Sequence, residues 1–205
     1  MTYEKRVIVT LMYTLTIFYH KNKFPIKKFG ELFKLLKNDR IVGEKNLHIP
    51  NPASLKDLSR VHTHEYIEKI SNLTLSQEEE KKLGFPMVPS VRQRSFVATG
   101  GTILAAQLAL NEGLACNTAG GSHHAFANSG NGYCVFNDVA VAAKKLISEY
   151  HIKNILIFDL DVHQGDGTAK IFENDENIYK IIRSFKLTYF RSLFGRFFGK
   201  RTVHR

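Results

Sequence analysis

The chain has 205 residues, 43% of them hydrophobic, and a formal net charge of +10. That length permits one α/β domain with a sizeable core. Two cysteines, Cys116 and Cys134, lack CxxC spacing and give no disulfide framework, and no apolar run reaches the ~18 residues that would span a bilayer.

In chain order, residues 7–19 follow Lys5 and Arg6 like the apolar part of a signal peptide. Thr10, Thr14 and Thr16 interrupt the run and no small-residue cleavage site follows, so a first buried strand over residues 15–19 is expected instead. Phe29, Leu32, Phe33, Leu35 and Leu36 recur at helical spacing within residues 26–38. Pro50 and Pro52 punctuate the loop before a helix led by Ser54. A short helix is expected over residues 66–70, and Ser76 to Glu79 has capping-box spacing before another. Pro86 and Pro89 bound a loop. A long Ala-rich helix then runs from about Val91 to Leu110, with Gly113 as its stop. Residues 115–117 read as a strand, 137–150 as a helix, and Ile155, Leu156, Ile157 and Phe158 as a buried parallel strand. This alternation implies a parallel sheet with helices on both faces. His62 and His64 lack partners at metal-ligand spacing and read as structural or surface residues. Glu78 to Lys82 reads as a solvated helix face.

The chemistry concentrates after residue 115. The run DLDVHQGDGT over residues 159–168 places three carboxylates and an imidazole at a strand end and the turn beyond it. Strand alternation would put Asp159, Asp161 and His163 on one face. Such a cluster is costly to bury unless a divalent metal compensates it, and the carboxyl end of a parallel strand is where open α/β sheets place their sites. Upstream, His123 and His124 sit on the Gly-rich turn GGSHHA. Adjacent imidazoles suit proton transfer, because histidine titrates near neutral pH. Between the two blocks, Gly132 and Tyr133 lie on a glycine loop that suits the wall of a narrow apolar channel.

The texts GGSHHA, NGYCVFNDVAVAA and ILIFDLDVHQGDGTAKIF, in this order, resemble the zinc-dependent histone deacetylase family. Gln164 stands where other members carry a second His, which points to the bacterial and class IV-like branch. Weaker similarity extends the resemblance over roughly residues 15–179. It implies the three-layer α/β fold of the arginase/deacetylase superfamily. It implies Asp161 and His163 as metal ligands for Zn2+, with Fe2+ acceptable. His123 and His124 would flank the metal-bound water, oriented by Asp159 and Asp166 respectively. Gly132 and Tyr133 would grip an acyl-lysine stem. A potassium ion would lie near Asp159 and the main chain around Asp161 and His163. The substrate implied is an acetyl-lysine protein or a small acetylated amine.

The resemblance also implies a third zinc ligand, an aspartate on a later loop, and a catalytic tyrosine. Neither has a counterpart here, and Tyr189 matches no motif. The expected division is therefore a partial deacetylase-like domain over residues 1–179, lacking its C-terminal half, and a divergent tail over 180–205. The tail holds eight basic residues and no acidic one; without it the chain has 21 basic and 19 acidic residues, a net of +2. Interleaved aromatics make contact with nucleic acid or an anionic membrane one reading of this tail, while out-of-frame translation or a truncated gene is the preferred one. Three functions follow: a zinc-dependent deacetylase, an arginase-like ureohydrolase, and an inactive remnant or binding module. The tandem histidines and the Gly-Tyr-Cys loop favour the first. Cys116 and Cys134 are expected to be buried, reduced thiols of a cytoplasmic protein.

Overall fold

The computed structural model describes residues 8–10, 25 and 27–182, with only the backbone at 8–10, 181 and 182. The strand expected over residues 15–19, the tail beyond residue 182 and Tyr189 lie outside the described residues.

Strand β1 (Ile8–Thr10) lies between two parallel neighbours, β2 (Leu47–His48) and β3 (Ala115–Asn117). Val9 pairs with both Leu47 and Cys116. Between β1 and β2 runs helix α1 (Lys28–Asn38), whose Phe29 ring lies under the Arg94 guanidinium at 4.6 Å. Four helices then separate β2 from β3, and local chemistry sets their ends. Ser54 caps α2 (Leu55–Leu58), accepting from the Asp57 amide. Thr63 caps α3 (His64–Asn72) in the same way. At α4 (Gln77–Leu83), Ser76 and Glu79 form both bonds of the capping box, at 3.2 and 2.7 Å. Helix α5 (Pro89–Glu112) begins with proline at its first turn, where the missing N–H costs nothing, and stops at Gly113, φ +84°. It is longer at both ends than its Ala-rich centre suggests.

After β3 the chain forms the site loop, then α6 (Asp138–Tyr150), capped by the Asn137 side chain, which accepts from the Ala140 amide. Next come β4 (Ile155–Asp159), α7 (Asp166–Ile171) and β5 (Ile178–Ile182). β4 and β5 pair in parallel, from Ile155 with Ile178 to Asp159 with Ile182. β5 thus continues through the point where the basic tail was expected to begin.

Every strand pairing between named strands is parallel, as the alternating pattern implies. Two expectations for β4 are corrected. The strand is not buried on both faces: Ile157 packs against Ala140, Ala143, Phe172 and Ile178, whereas Leu156 and Phe158 are 40% and 47% exposed. Among the described residues one face of β4 carries no covering layer, and side-chain alternation sends these two to it. In addition, the strand ends at Asp159, so alternation along a strand is not what gathers Asp159, Asp161 and His163.

The larger core cluster joins α2, α3, α4, α5 and α6 around Phe136, Leu58, Ile70, Leu83 and Val141. Its aromatic centre is Phe136, with the rings of His62, Phe96 and Tyr66 at 5.1, 5.3 and 6.0 Å. Phe136 immediately precedes Asn137, so this core anchors the start of α6 directly beneath the site loop.

Candidate active site

Two His–Asp contacts stand side by side. His123 Nδ1 lies 2.7 Å from Asp159 Oδ2, and His124 Nδ1 lies 2.6 Å from Asp166 Oδ1. The imidazole centroids are 4.2 Å apart and the planes are tilted by 56°. The first dyad is the drier, for the Asp159 side chain is 12% exposed and that of Asp166 is 41% exposed. Asp159 comes from the end of β4 and Asp166 from the first turn of α7, so two successive elements supply one carboxylate each.

Close backbone approach makes this possible. A Cβ on Gly165 would collide with Asp159 Oδ2 and come within 3.1 Å of His123 Nδ1. A Cβ on Gly167 would collide with the carbonyl of Ala125. The Thr168 amide also donates to the His123 carbonyl at 3.0 Å. α7 therefore lies directly on the backbone of the histidine pair.

Asp161 and His163 are gathered by side-chain turns. The Asp161 amide donates to Asp159 Oδ1 at 2.9 Å, and the His163 amide donates to Asp161 Oδ1 at 2.7 Å. Each aspartate thus folds the chain back two residues on. His163 Nδ1 then lies 2.9 Å from Asp161 Oδ1, and its ring is 6.0 Å from that of His124. The side chains of Asp161 and His163 are 51% and 71% exposed, so water, without any metal, already removes the burial cost expected for them. The His163 amide, followed by its ring, holds the Asp161 carboxyl below the usual carboxylate range.

These two atoms lie at hydrogen-bond distance, and a cation shared by them would take the place of the ring proton. Ligands about 2.1 Å from a tetrahedral zinc lie roughly 3.4 Å apart, a little more than the separation here. Among the described residues no group of three His, Cys, Asp or Glu side chains is placed to hold a metal. The donor set accordingly fits two positions of such a centre.

Gly132 sits beside the second dyad, whereas Tyr133 packs against Gly84 and Phe85. A Cβ on Gly132, φ +50°, would come within 2.9 Å of His124 Cδ2. Tyr133 is itself left-handed at φ +67°, a conformation unusual for an aromatic residue. Its amide donates to the Leu83 carbonyl at 2.8 Å, and its ring packs 5.9 Å from Phe85. The loop is thus fastened to the end of α4.

A buried polar chain behind the histidines was not foreseen in the sequence. The Asn137 amide donates to His62 Nε2 at 3.0 Å. The Asn137 side chain donates to the Ala125 carbonyl at 3.1 Å and to Thr168 Oγ1 at 3.0 Å. His62 is therefore structural, as expected, while His64 is exposed and lies 3.5 Å from Glu68. The usable signal was an Asn-Asp pair directly before an apolar helix, a start signature.

Burial pushes the His62 imidazole down to about 4, against the weaker opposing pull of the Ala127 and Phe126 carbonyls. The unfolded chain takes up this proton near pH ~6.5, so between pH ~6.5 and about 4 the unfolded state binds more protons and stability falls with pH. The expected loss is about 3 kcal/mol across that window, at roughly 1.4 kcal/mol per unit. Urea midpoints at pH 7 and pH 4.5 check this. In His62→Gln the decline should be shallower; equal slopes would assign the acid sensitivity elsewhere.

With this geometry the chain belongs to the histone deacetylase family: the family's histone deacetylase domain matches residues 22–185. The family is metal-dependent. An uncharacterized protein of Picosynechococcus sp. is 43% identical over 159 residues, which are 78% of this chain and 53% of that protein. Histone deacetylase 2 of Arabidopsis thaliana is 34% identical over 162 residues, 76% of this chain and 42% of its own length. The crystal structure of an HDAC homolog from Aquifex aeolicus superposes with a TM-score of 0.74 at 26% identity, covering 86% of this chain and 50% of that one. The arginase/deacetylase-like α/β fold follows from that likeness. The chain spans about half the length of the curated relatives it matches.

Proposed function

We propose that the chain carries the proton-transfer pair and two metal donors of an amide hydrolase that removes acetyl or other acyl groups from lysine side chains or small acetylated amines. The observation that supports this is the pair of His–Asp contacts 4.2 Å apart, with the Asp161–His163 pair against His124. Zinc, or Fe(II) in its place, would be held by Asp161 and His163, where it would polarise the amide carbonyl and lower the pKa of bound water to roughly 7. An ionised carboxylate only accepts, so Asp159 and Asp166 fix the proton on each Nδ1 and leave each Nε2 as the basic nitrogen. Two imidazolium rings this close would repel by about 4 kcal/mol at an effective dielectric constant of about 20. One ring therefore takes the proton of the attacking water while its neighbour stays neutral, and the pair returns a proton to the leaving amine. The drier His123–Asp159 dyad keeps its orientation best and suits the base. Gly132 and Tyr133 border the acyl-lysine stem, and a potassium ion against Asp159 belongs to the same reading. The cytoplasm is the setting that suits reduced thiols at Cys134, which is buried, and at Cys116, which is exposed and not buried as expected.

The second reading is a non-catalytic binding module. An assay on an acetyl-lysine peptide with added zinc separates the two, with His123→Ala alongside. The hydrolase reading expects turnover that His123→Ala lowers by about 10²-fold or more. Equal rates in both proteins would refute the chemistry, and no turnover in either would carry the second reading.

A further inference from the structure

We infer that Asp138 is a positioning residue that sets the His123–His124 pair by holding the backbone amides of Gly121 and Ser122. Asp138 is 1% exposed, yet it is the first residue after the cap of a helix that has no need of it for its first turn, because Asn137 already serves the Ala140 amide. The carboxylate turns instead to the site loop. The Ser122 amide donates to Oδ1 at 2.7 Å and the Gly121 amide donates to Oδ2 at 3.0 Å. The Thr102 hydroxyl of α5 also donates to Oδ2. Every partner is a donor, and the half-buried Arg94 guanidinium adds a favourable charge, which is what a desolvated carboxylate requires.

The loop is shaped to admit this grip. A Cβ on Gly120 would stand 2.6 Å from both Asp138 Oδ2 and Thr102 Oγ1, so only glycine lets the carboxylate come so near. Gly121 takes φ +96°, which turns its amide and the next toward the same carboxylate. Asn137, one residue earlier, binds the Ala125 carbonyl on the far side of the histidines. Two consecutive residues therefore hold both flanks of a four-residue span, and the imidazoles between them have little freedom to leave Asp159 and Asp166. The use made of the pair rests on the hydrolase reading; its placement does not.

The test is read on imidazoles, not on turnover. Side-chain ¹H–¹⁵N spectra of the full labelled chain are recorded at one pH for wild type, Asp138→Asn, Thr102→Val and Asp57→Asn. Asp138→Asn keeps the shape but turns an amine toward loop amides. The Nδ1 proton resonances of His123 and His124 should be lost in it and weakened in Thr102→Val. Asp57 is a buried carboxylate bonded to Lys145 Nζ at 2.6 Å, to Ser54 and to Arg60, none of them on the loop, so Asp57→Asn should lower the melting temperature and keep both resonances. Wild-type resonances in Asp138→Asn would overturn the inference, as would equal loss in Asp57→Asn at an equal melting temperature. If Asp138→Asn does not fold, unchanged resonances in Thr102→Val overturn it. A chain inactive on acetyl-lysine leaves this outcome intact, so the two failures remain separable.

Discussion

Phe136→Ala should destabilise the protein by about 3–5 kcal/mol, a large part of the 5–15 kcal/mol typical of a domain. Phe136 is 2% exposed and meets three rings, those of His62, Phe96 and Tyr66. Phe96 lies on α5, whereas His62 and Tyr66 flank the start of α3 with their rings 5.9 Å apart, so none of the three can move in to fill the void without disturbing another contact. Phe96 meets Phe136 edge-on at 89°, an arrangement worth about 0.5–1.5 kcal/mol beyond the area buried. The Tyr66 hydroxyl, which donates to the Val135 carbonyl at 2.8 Å, would also lose the shelter of the ring. Urea unfolding followed by circular dichroism measures the loss. A value below about 1 kcal/mol would mean that the site collapses freely, and that the start of α6 is anchored elsewhere.

Gly165→Ala should break the His123–Asp159 contact while leaving most of the fold intact. The new methyl would collide with Asp159 Oδ2 and press on His123 Nδ1, the two atoms that meet at 2.7 Å. The backbone at Gly165 has φ −74° and ψ 64°, the inverse γ-turn region open to residues with a side chain, so the effect of alanine is chiefly steric. Overpacking of this kind costs about 1–3 kcal/mol, well below the loss at Phe136. On the hydrolase reading proposed above, turnover should suffer far more: a base that loses its orienting carboxylate forfeits much of the 10²–10⁴-fold that general base catalysis supplies, about 3–5 kcal/mol of barrier. The measurement pairs kcat with the melting temperature. A variant that melts several degrees lower but turns over like wild type would show that Asp159 does not govern His123.

How far the sequence alone reaches depends on how local each feature is. The capping box at Ser76 and Glu79, the Ser54 cap and the Gly113 stop were legible because each rests on residues within a few positions. The pairing of His123 with Asp159 and of His124 with Asp166 was available only through resemblance, since it spans 36 and 42 positions. Asp138 was invisible: an acidic residue in a first helical turn already has a local explanation in the helix dipole. β4 misled for the opposite reason. A run of four apolar residues looks the same whether one face is covered or two, and only the neighbours in space decide. For Asp161 and His163 the periodicity named the wrong cause, because side-chain turns rather than pleating set their contact.

The twofold grip of Asn137 and Asp138 on the histidine loop bears on what happens when a ligand arrives. A segment already immobilised at both ends sheds almost no conformational entropy on complex formation. Liganded and empty forms of this loop should superpose closely, and on the hydrolase reading discrimination among substrates would arise from what the rigid walls exclude.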